Sequence, residues 1–300
     1  MSGPDVYQAV TDRILEMLDK GTIPWRHPIR GGAGGGWPKN LESDRPYRGI
    51  NVFLLAVTSW MKGYGSAFWM TYRQAALRGG NVRKGEKASL VVFWKQYETT
   101  DRETGQPKKV PVLRYYNVFN AEQCEGVKAP DAPAEPAIPF EPIAEAERIV
   151  AGYPSGPTIE HAGAQAYYRP SADLVRLPEP GRFLSREFYY ATAFHELAHS
   201  TGHSTRLDRG LDKDLAPFGS VDYSKEELVA EMGSAFLCAS AGISPPTIEQ
   251  SAAYIAGWRK KLTDDRKLIV TAAGAGQRAA DWVLGTRSRD SDDDSPTAAV

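Results

Sequence analysis

The chain has 300 residues, 42% of them hydrophobic, with 36 Lys+Arg against 37 Asp+Glu. This is a globular composition, long enough for more than one core. No stretch approaches the roughly 18–20 consecutive apolar residues of a membrane helix, and MSGPDVYQAVTDRILEML lacks the charged-then-apolar pattern of a secretory signal, so a soluble, cytoplasmic protein with no membrane partner is expected.

The net charge of −1 hides an asymmetry. Residues 1–127 carry 18 basic and 12 acidic residues, whereas residues 128–300 carry 18 and 25. A basic front and an acidic back predict two tasks, the first suited to a polyanion. Cys124 and Cys238 lie far apart and form no CxxC, which argues against a disulfide framework and against a cysteine metal site.

In chain order, Val6, Val10, Ile14 and Leu18 recur every four residues, predicting an amphipathic helix that Gly21 closes. GGAGGG (31–36) reads as a flexible loop. NVFLLAVTSWMKG (51–63) reads as a buried helix, and TYRQAALRGG (71–80) as a short helix with a glycine stop. ASLVVFWKQYETT (88–100) and VPVLRYYNVFN (110–120) are β-branched and aromatic and flank the polar DRETGQPKK, which predicts a β-hairpin.

KAPDAPAEPAIPFEP (128–142) is a Pro-rich linker by composition. Beyond it, IAEAERIVAGY predicts a helix, and TIEHAG and AYYRPSADLVRLP predict strands. SREFYYATAFHELAHSTG predicts a helix with Ser185 as N-cap and Gly202 as stop. SKEELVAEMGSAFLCASAG predicts another, with Ser224 as N-cap and Glu227 at capping-box spacing. Residues 247–284 read as helical with a break near AAGAG, and 286–300 as a disordered tail. The fold class is α+β: a front domain at 1–127 carrying the hairpin, the linker at 128–142, and a mainly helical back domain with a small sheet at 143–285.

Three of the five histidines fall within nine residues, in HELAHSTGH. His195 and His199, at i and i+4, share one helix face and can grip one ion. With Glu196 between them they make HExxH, in which the glutamate deprotonates a water at the metal. A third ligand is needed. His203 continues the series but follows Gly202, where the helix is expected to end, and the metzincin position for a third histidine holds Thr205. Glu227 and Glu231 stand four apart on a second helix, and ELVAE resembles the gluzincin E-x-x-A-D/E pattern. On this reading Glu227 is the ligand and Glu231 supports a histidine, with the reverse assignment open. Glu226 reads as a first-turn carboxylate on the helix dipole, and His27 and His161 as ordinary polar residues. The metal expected is zinc, other divalent ions being possible, and the natural reaction is amide hydrolysis. No oxyanion donor is assigned; Tyr189, Tyr190 and Tyr223 lie nearby in sequence.

The front domain interleaves cations with aromatics, and five of the seven tryptophans precede the linker. Aromatic faces that stack bases beside cations that track phosphates suit single-stranded nucleic acid. Trp60, Phe53 and Phe93, in apolar runs, are assigned to the core. Trp25, Trp37 and Tyr47, in polar or Gly/Pro loops, are the exposed candidates, with Arg26, Arg48 and the loop cations Arg83, Lys84 and Lys87 as phosphate contacts.

GTIPWRHPI, RPYRGIN, TYRQAALRGGNVRKGEK, YYNVFNAEQCEG, FYYATAFHELAHSTGHSTRLDR and YSKEELVAEMGSAF follow one another along almost the whole chain. Together they resemble the ArdC antirestriction proteins of plasmids, whose front domain is shared with certain conjugative primases. The resemblance implies a front domain that binds single-stranded DNA and a zincin-like metallopeptidase domain behind it. It also implies protection of incoming conjugative DNA from host restriction, with a host restriction component as one conceivable protein substrate. His195, Glu196 and His199 are intact. The rival expectation is a non-catalytic protein that coats single strands and carries a structural or vestigial zinc site.

Overall fold

A computed structural model describes residues 5–26, 37–100, 106–130, 142–211, 221–243 and 252–286. The glycine loop 31–36, the hairpin tip 101–105, linker residues 131–141 and tail residues 287–300 lie outside the described residues, as does His27.

α1 (Val6–Asp19) starts at Asp5, whose carboxylate accepts from the Tyr7 and Gln8 amides, partners that a helix start otherwise lacks. The four-residue repeat buries Val10, Ile14, Met17 and Leu18. The chain then makes a single 3-10 turn at Pro24–Arg26 and a short strand, β1 (Lys39–Asn40). α2 (Ile50–Lys62) is buried from Ile50 through Ser59 and ends at Gly63 in the left-handed conformation. Trp60, assigned to the core by its apolar run, is instead 59% exposed, because the last turn of α2 leaves the core just before it.

β2 (Phe68–Met70), α3 (Tyr72–Leu77), β3 (Asn81–Val82), β4 (Ser89–Thr100), β5 (Pro107–Asn120) and β6 (Cys124–Glu125) complete the front half. The main sheet has the order β1-β2-β5-β4, with β3 and β6 paired separately. The expected hairpin is present: β4 and β5 pair antiparallel from Ser89↔Val118 to Thr100↔Pro107. Asn51 of α2 locks onto it, donating Nδ2 to the Val92 carbonyl at 2.7 Å and accepting the Val92 amide at 2.7 Å. That buried amide does the work of a neighbouring strand.

In the back half, α4 (Pro142–Ala151) precedes a small sheet of β7 (Thr158–His161), β8 (Tyr167–Arg169) and β9 (Leu174–Leu177), in the order β7-β9-β8. β7 runs parallel to β9 and β8 antiparallel. α5 (Arg186–Ser200), α6 (Val221–Ser240), α7 (Ala252–Asp264) and α8 (Leu268–Val283) follow. α6 begins before Ser224, which is therefore a buried residue within the helix rather than its N-cap.

α8 runs unbroken through AAGAG, and the second of its two glycines serves packing. A Cβ on Gly276 would stand 2.9 Å from Met232 Cβ and 3.0 Å from the Val229 carbonyl of α6. One on Gly233 would stand 2.9 Å from Ala198 Cβ of α5. Small residues thus bring α5, α6 and α8 into close contact.

The two halves share one core. Val10, Ile14, Trp25 and Phe53 from the front pack in one cluster with Phe236, Trp258, Leu262 and Ile269 from the back. The Phe53 and Phe236 rings are 4.9 Å apart, and Trp25 meets Trp258 edge-on at 5.8 Å. Polar ties cross the same boundary: Thr11 Oγ1 donates to the Arg266 carbonyl at 2.9 Å, and Arg48 pairs with Asp281.

Candidate metal centre

α5 places the histidines. Ser185 caps it by accepting the Phe188 amide, as its sequence predicts. One turn apart, the His195 and His199 rings lie 4.7 Å apart and nearly perpendicular, with their Nε2 atoms 3.1 Å from each other. α6 crosses α5 and delivers Glu227, whose nearer oxygens lie 3.6 Å from His195 Nε2 and 3.3 Å from His199 Nε2. One donor atom from each residue fits within a 4.8 Å cluster.

Three donors at about 2.1 Å from one ion and at tetrahedral angles stand about 3.4 Å apart. The observed separations bracket that value, and two imidazoles with a carboxylate are a donor set that suits a divalent ion. Glu196 sits between the two histidines in sequence, its side chain largely buried.

The carboxylates of the site are tuned. Burial opposes charge on Glu227, but hydrogen bonds from His195 and His199 outweigh it and hold the acid far below the usual range. Burial likewise works against charge on His199, and contacts with Glu226 and Glu227 reverse that effect, pushing its pKa up.

Glu226 emerges as a functional residue that the sequence reading missed. Its Oε1 lies 3.2 Å from His199 Nδ1, and Arg209 grips both its oxygens, Nη2 to Oε1 at 2.6 Å and Nε to Oε2 at 2.9 Å. An Nδ1–H held by a carboxylate leaves the Nε2 lone pair facing the cluster. Arg209 also donates to the Ala198 carbonyl at 2.9 Å, and Arg206 donates to the Ser200 carbonyl at 2.8 Å. These two guanidiniums add to the donors at the end of the helix, where the Ser200 carbonyl also takes the His203 amide and the Ala198 carbonyl the Thr201 hydroxyl, and their charge suits the helix C-terminus. The segment TRLDR, which follows the histidine cluster, is therefore part of the site's scaffold. Gly202 makes room for it: a Cβ there would stand 2.5 Å from Leu211 Cδ1 and 3.0 Å from Arg209 Nη2.

Glu231, expected to support a histidine, faces elsewhere. Its Oε1 accepts from Arg26 Nη2 at 2.7 Å and from the Tyr254 hydroxyl at 3.0 Å, and the Arg26 guanidinium lies over the Tyr254 ring at 4.1 Å. His203 lies outside the cluster, its Nδ1 2.8 Å from Thr205 Oγ1. The Tyr189 hydroxyl meets His161 Nε2 at 2.8 Å, and the Tyr190 hydroxyl donates to Glu147. The Tyr223 side chain lies outside the described residues.

The expected DNA contacts need correction. Trp25 and Tyr47 are buried, 1% and 4% exposed, because the loops carrying them fold back on the core. Trp37 is half-buried and stacks on Phe236. Arg26, Arg48 and Arg83 pair with Glu231, Asp281 and Glu86 respectively. Lys84 and Lys87 are exposed. Phe53 is buried, as its apolar run predicts, whereas Phe93 is only half-buried at the edge of its cluster.

Residues 4–119 match the N-terminal domain of anti-restriction factor ArdC, and residues 144–275 match a zincin-like metallopeptidase. The Mn(II)-bound crystal structure of the antirestriction protein ArdC from plasmid R388 superposes with a TM-score of 0.74 at 40% identity, covering 94% of this chain and 97% of that one. This chain belongs to the ArdC antirestriction family. The metal-free structure of the same ArdC gives a TM-score of 0.73. The uncharacterized protein y4eC of Sinorhizobium fredii is 38% identical over 298 residues, covering 95% of this chain and 93% of that one. DNA primase TraC of Escherichia coli is 40% identical over 298 residues, but the match spans only 27% of TraC. The α+β class and the zincin-like back half with its small sheet agree with the family. The fold implies a divalent metal, and no helix among the described residues is long and apolar enough to cross a membrane.

Proposed function

We propose that this ArdC-family protein binds single-stranded DNA and works as a metallopeptidase on a protein near that DNA, shielding incoming conjugative plasmid DNA from host restriction. The observation that carries the catalytic part is the convergence of His195, His199 and Glu227, with Glu196 next to His195 in the helix and Arg209 and Glu226 fixing a histidine.

His195 and His199 would hold the ion through Nε2 and Glu227 through its carboxylate, a donor set suited to zinc. When bound, the ion supplies a Lewis acid that polarises a peptide carbonyl and acidifies a water. Glu196 takes the proton of the attacking water and returns it to the departing amine. Glu226 keeps the His199 proton on Nδ1 throughout, so the ring does not compete for the proton that Glu196 carries. A component of the host restriction machinery is the substrate class that fits the family's role.

The test is Glu196→Gln, which removes the base and leaves the three ligands. Conjugation of a restriction-sensitive plasmid into a restricting host is measured with wild type, Glu196→Gln and His195→Ala. Loss of protection in both variants is expected. Full protection by Glu196→Gln would refute catalysis and leave strand coating as the route.

A further inference from the structure

We propose that single-stranded DNA lies along one face of the β4–β5 ribbon, with Tyr97 as the stacking platform and Lys95 and Arg114 as phosphate contacts. This deepens the DNA-binding part of the function proposed above and rests on it.

Directly opposed residues of an antiparallel pair share a face, and alternate residues along each strand return to it. The register pairs Val91 with Tyr116, Phe93 with Arg114, Lys95 with Val112 and Tyr97 with Val110. These eight residues form one face, holding two cations, three aromatic rings and no carboxylate. Its inner end is anchored, since Val91 and Val118 are buried with Leu55 and Trp69. Its outer end is open: Tyr97 is 37% exposed, and Lys95 and Arg114 are exposed.

Charge separates these cations from most of those picked by sequence. Arg26, Arg48 and Arg83 are each committed to a carboxylate of the protein itself. Among the described residues Lys95 and Arg114 have no such partner; instead both lie near the Tyr97 ring, at 5.9 Å and 5.4 Å from its centroid. An exposed ring with two uncommitted cations beside it offers a base a stacking surface next to partners for its phosphates. Phe93 and Tyr116, edge to face at 5.8 Å, continue the aromatic row toward the core. The opposite face carries Glu98, and its Trp94 is turned against Tyr7 of α1, which leaves it less suited to a polyanion.

The experiment uses the full chain and a fluorescein-labelled oligothymidylate of about 20 nucleotides, a length that covers more than one binding site of this type, read by anisotropy across a salt series. Tyr97→Ala is expected to weaken binding about 5- to 100-fold, the range for loss of one stacked base, while Tyr97→Phe keeps the ring and the affinity. The double variant Lys95→Ala/Arg114→Ala is expected to flatten the log–log salt slope by about 1.4, at about 0.7 for each phosphate that is no longer neutralised. Trp94→Ala, on the other face, leaves both quantities unchanged. Thermal melts confirm that each variant is folded. Wild-type affinity and slope in both the Tyr97→Ala and the double variant would overturn the assignment, as would a loss confined to Trp94→Ala. Equal affinity for a duplex of the same length would overturn stacking. If the wild type fails to bind the oligonucleotide at low salt, the DNA-binding reading itself falls, and this surface with it.

Discussion

Replacing Glu226 with Gln tests the relay that holds His199. The carboxylate makes three contacts: 3.2 Å to His199 Nδ1, and 2.6 Å and 2.9 Å to Arg209. Glutamine keeps the shape but has one acceptor oxygen where the site uses two. Whichever way the amide turns, its NH2 group faces an N–H donor, either of the guanidinium or of the imidazole. The His199 ring is then deprived of either its orienting acceptor or the clamp behind it. Removing such a supporting partner costs about 10- to 100-fold in metal affinity, or about 1.4–2.7 kcal/mol. Competition with a chromophoric zinc chelator on the demetallated protein measures this directly. Glu231→Gln is the matched comparison. Helix periodicity assigned it the supporting role, but its side chain reaches Arg26 and Tyr254, so its metal affinity is expected to stay within about twofold of wild type, below the range for a supporting partner. Wild-type affinity in Glu226→Gln combined with a large drop in Glu231→Gln would refute the relay.

Removing the third ligand by Glu227→Ala should abolish stoichiometric zinc in the purified protein, whereas His203→Ala should retain it; elemental analysis decides both. Gly276→Val forces a branched side chain to within 3.0 Å of the α6 backbone, and is expected to cost about 1–3 kcal/mol or more, seen as a lower melting temperature. Trp25→Ala empties a fully buried site against Trp258; a loss of about 3–5 kcal/mol in denaturant unfolding is expected, and a variant as stable as wild type would contradict the shared core. Arg206→Met removes the donor to the Ser155 carbonyl and one of the donors to the Ser200 carbonyl, and leaves Asp173 without its cation. Asp173 keeps its bond from Tyr168 and stays partly exposed, so a loss of about 1–3 kcal/mol is expected, which calorimetry would register.

Much of the site was legible because its chemistry is periodic. An i, i+4 histidine pair must share a helix face, and Glu227 lies on a helix rich enough in apolar residues to pack against that face. Periodicity then misled at Glu231. It shares a face with Glu227, but one turn further along α6 that face meets Arg26 and Tyr254 rather than a histidine. Glu226 and Arg209 were hidden for the converse reason: their partnership depends on how the chain returns from α5, which no local spacing encodes. Trp25 and Tyr47 sit among Gly and Pro, a composition that reads as exposed, yet tertiary packing folds those loops inward. Glycines in AAGAG read as a helix break by propensity, whereas the close approach of α6 requires the second of them, Gly276.

The shared core also bears on ancestry. Phe53 and Trp25 interlock with Phe236 and Trp258, so either half moved alone into another gene would expose an apolar surface and lack the residues that fit it. Recombination would then be tolerated at the borders of the whole block and selected against inside it. The alignment with TraC has that form: it takes in 93% of this chain as one piece while occupying 27% of the larger primase. In that primase the counterparts of both halves stand together, along nearly the whole joint length of this chain.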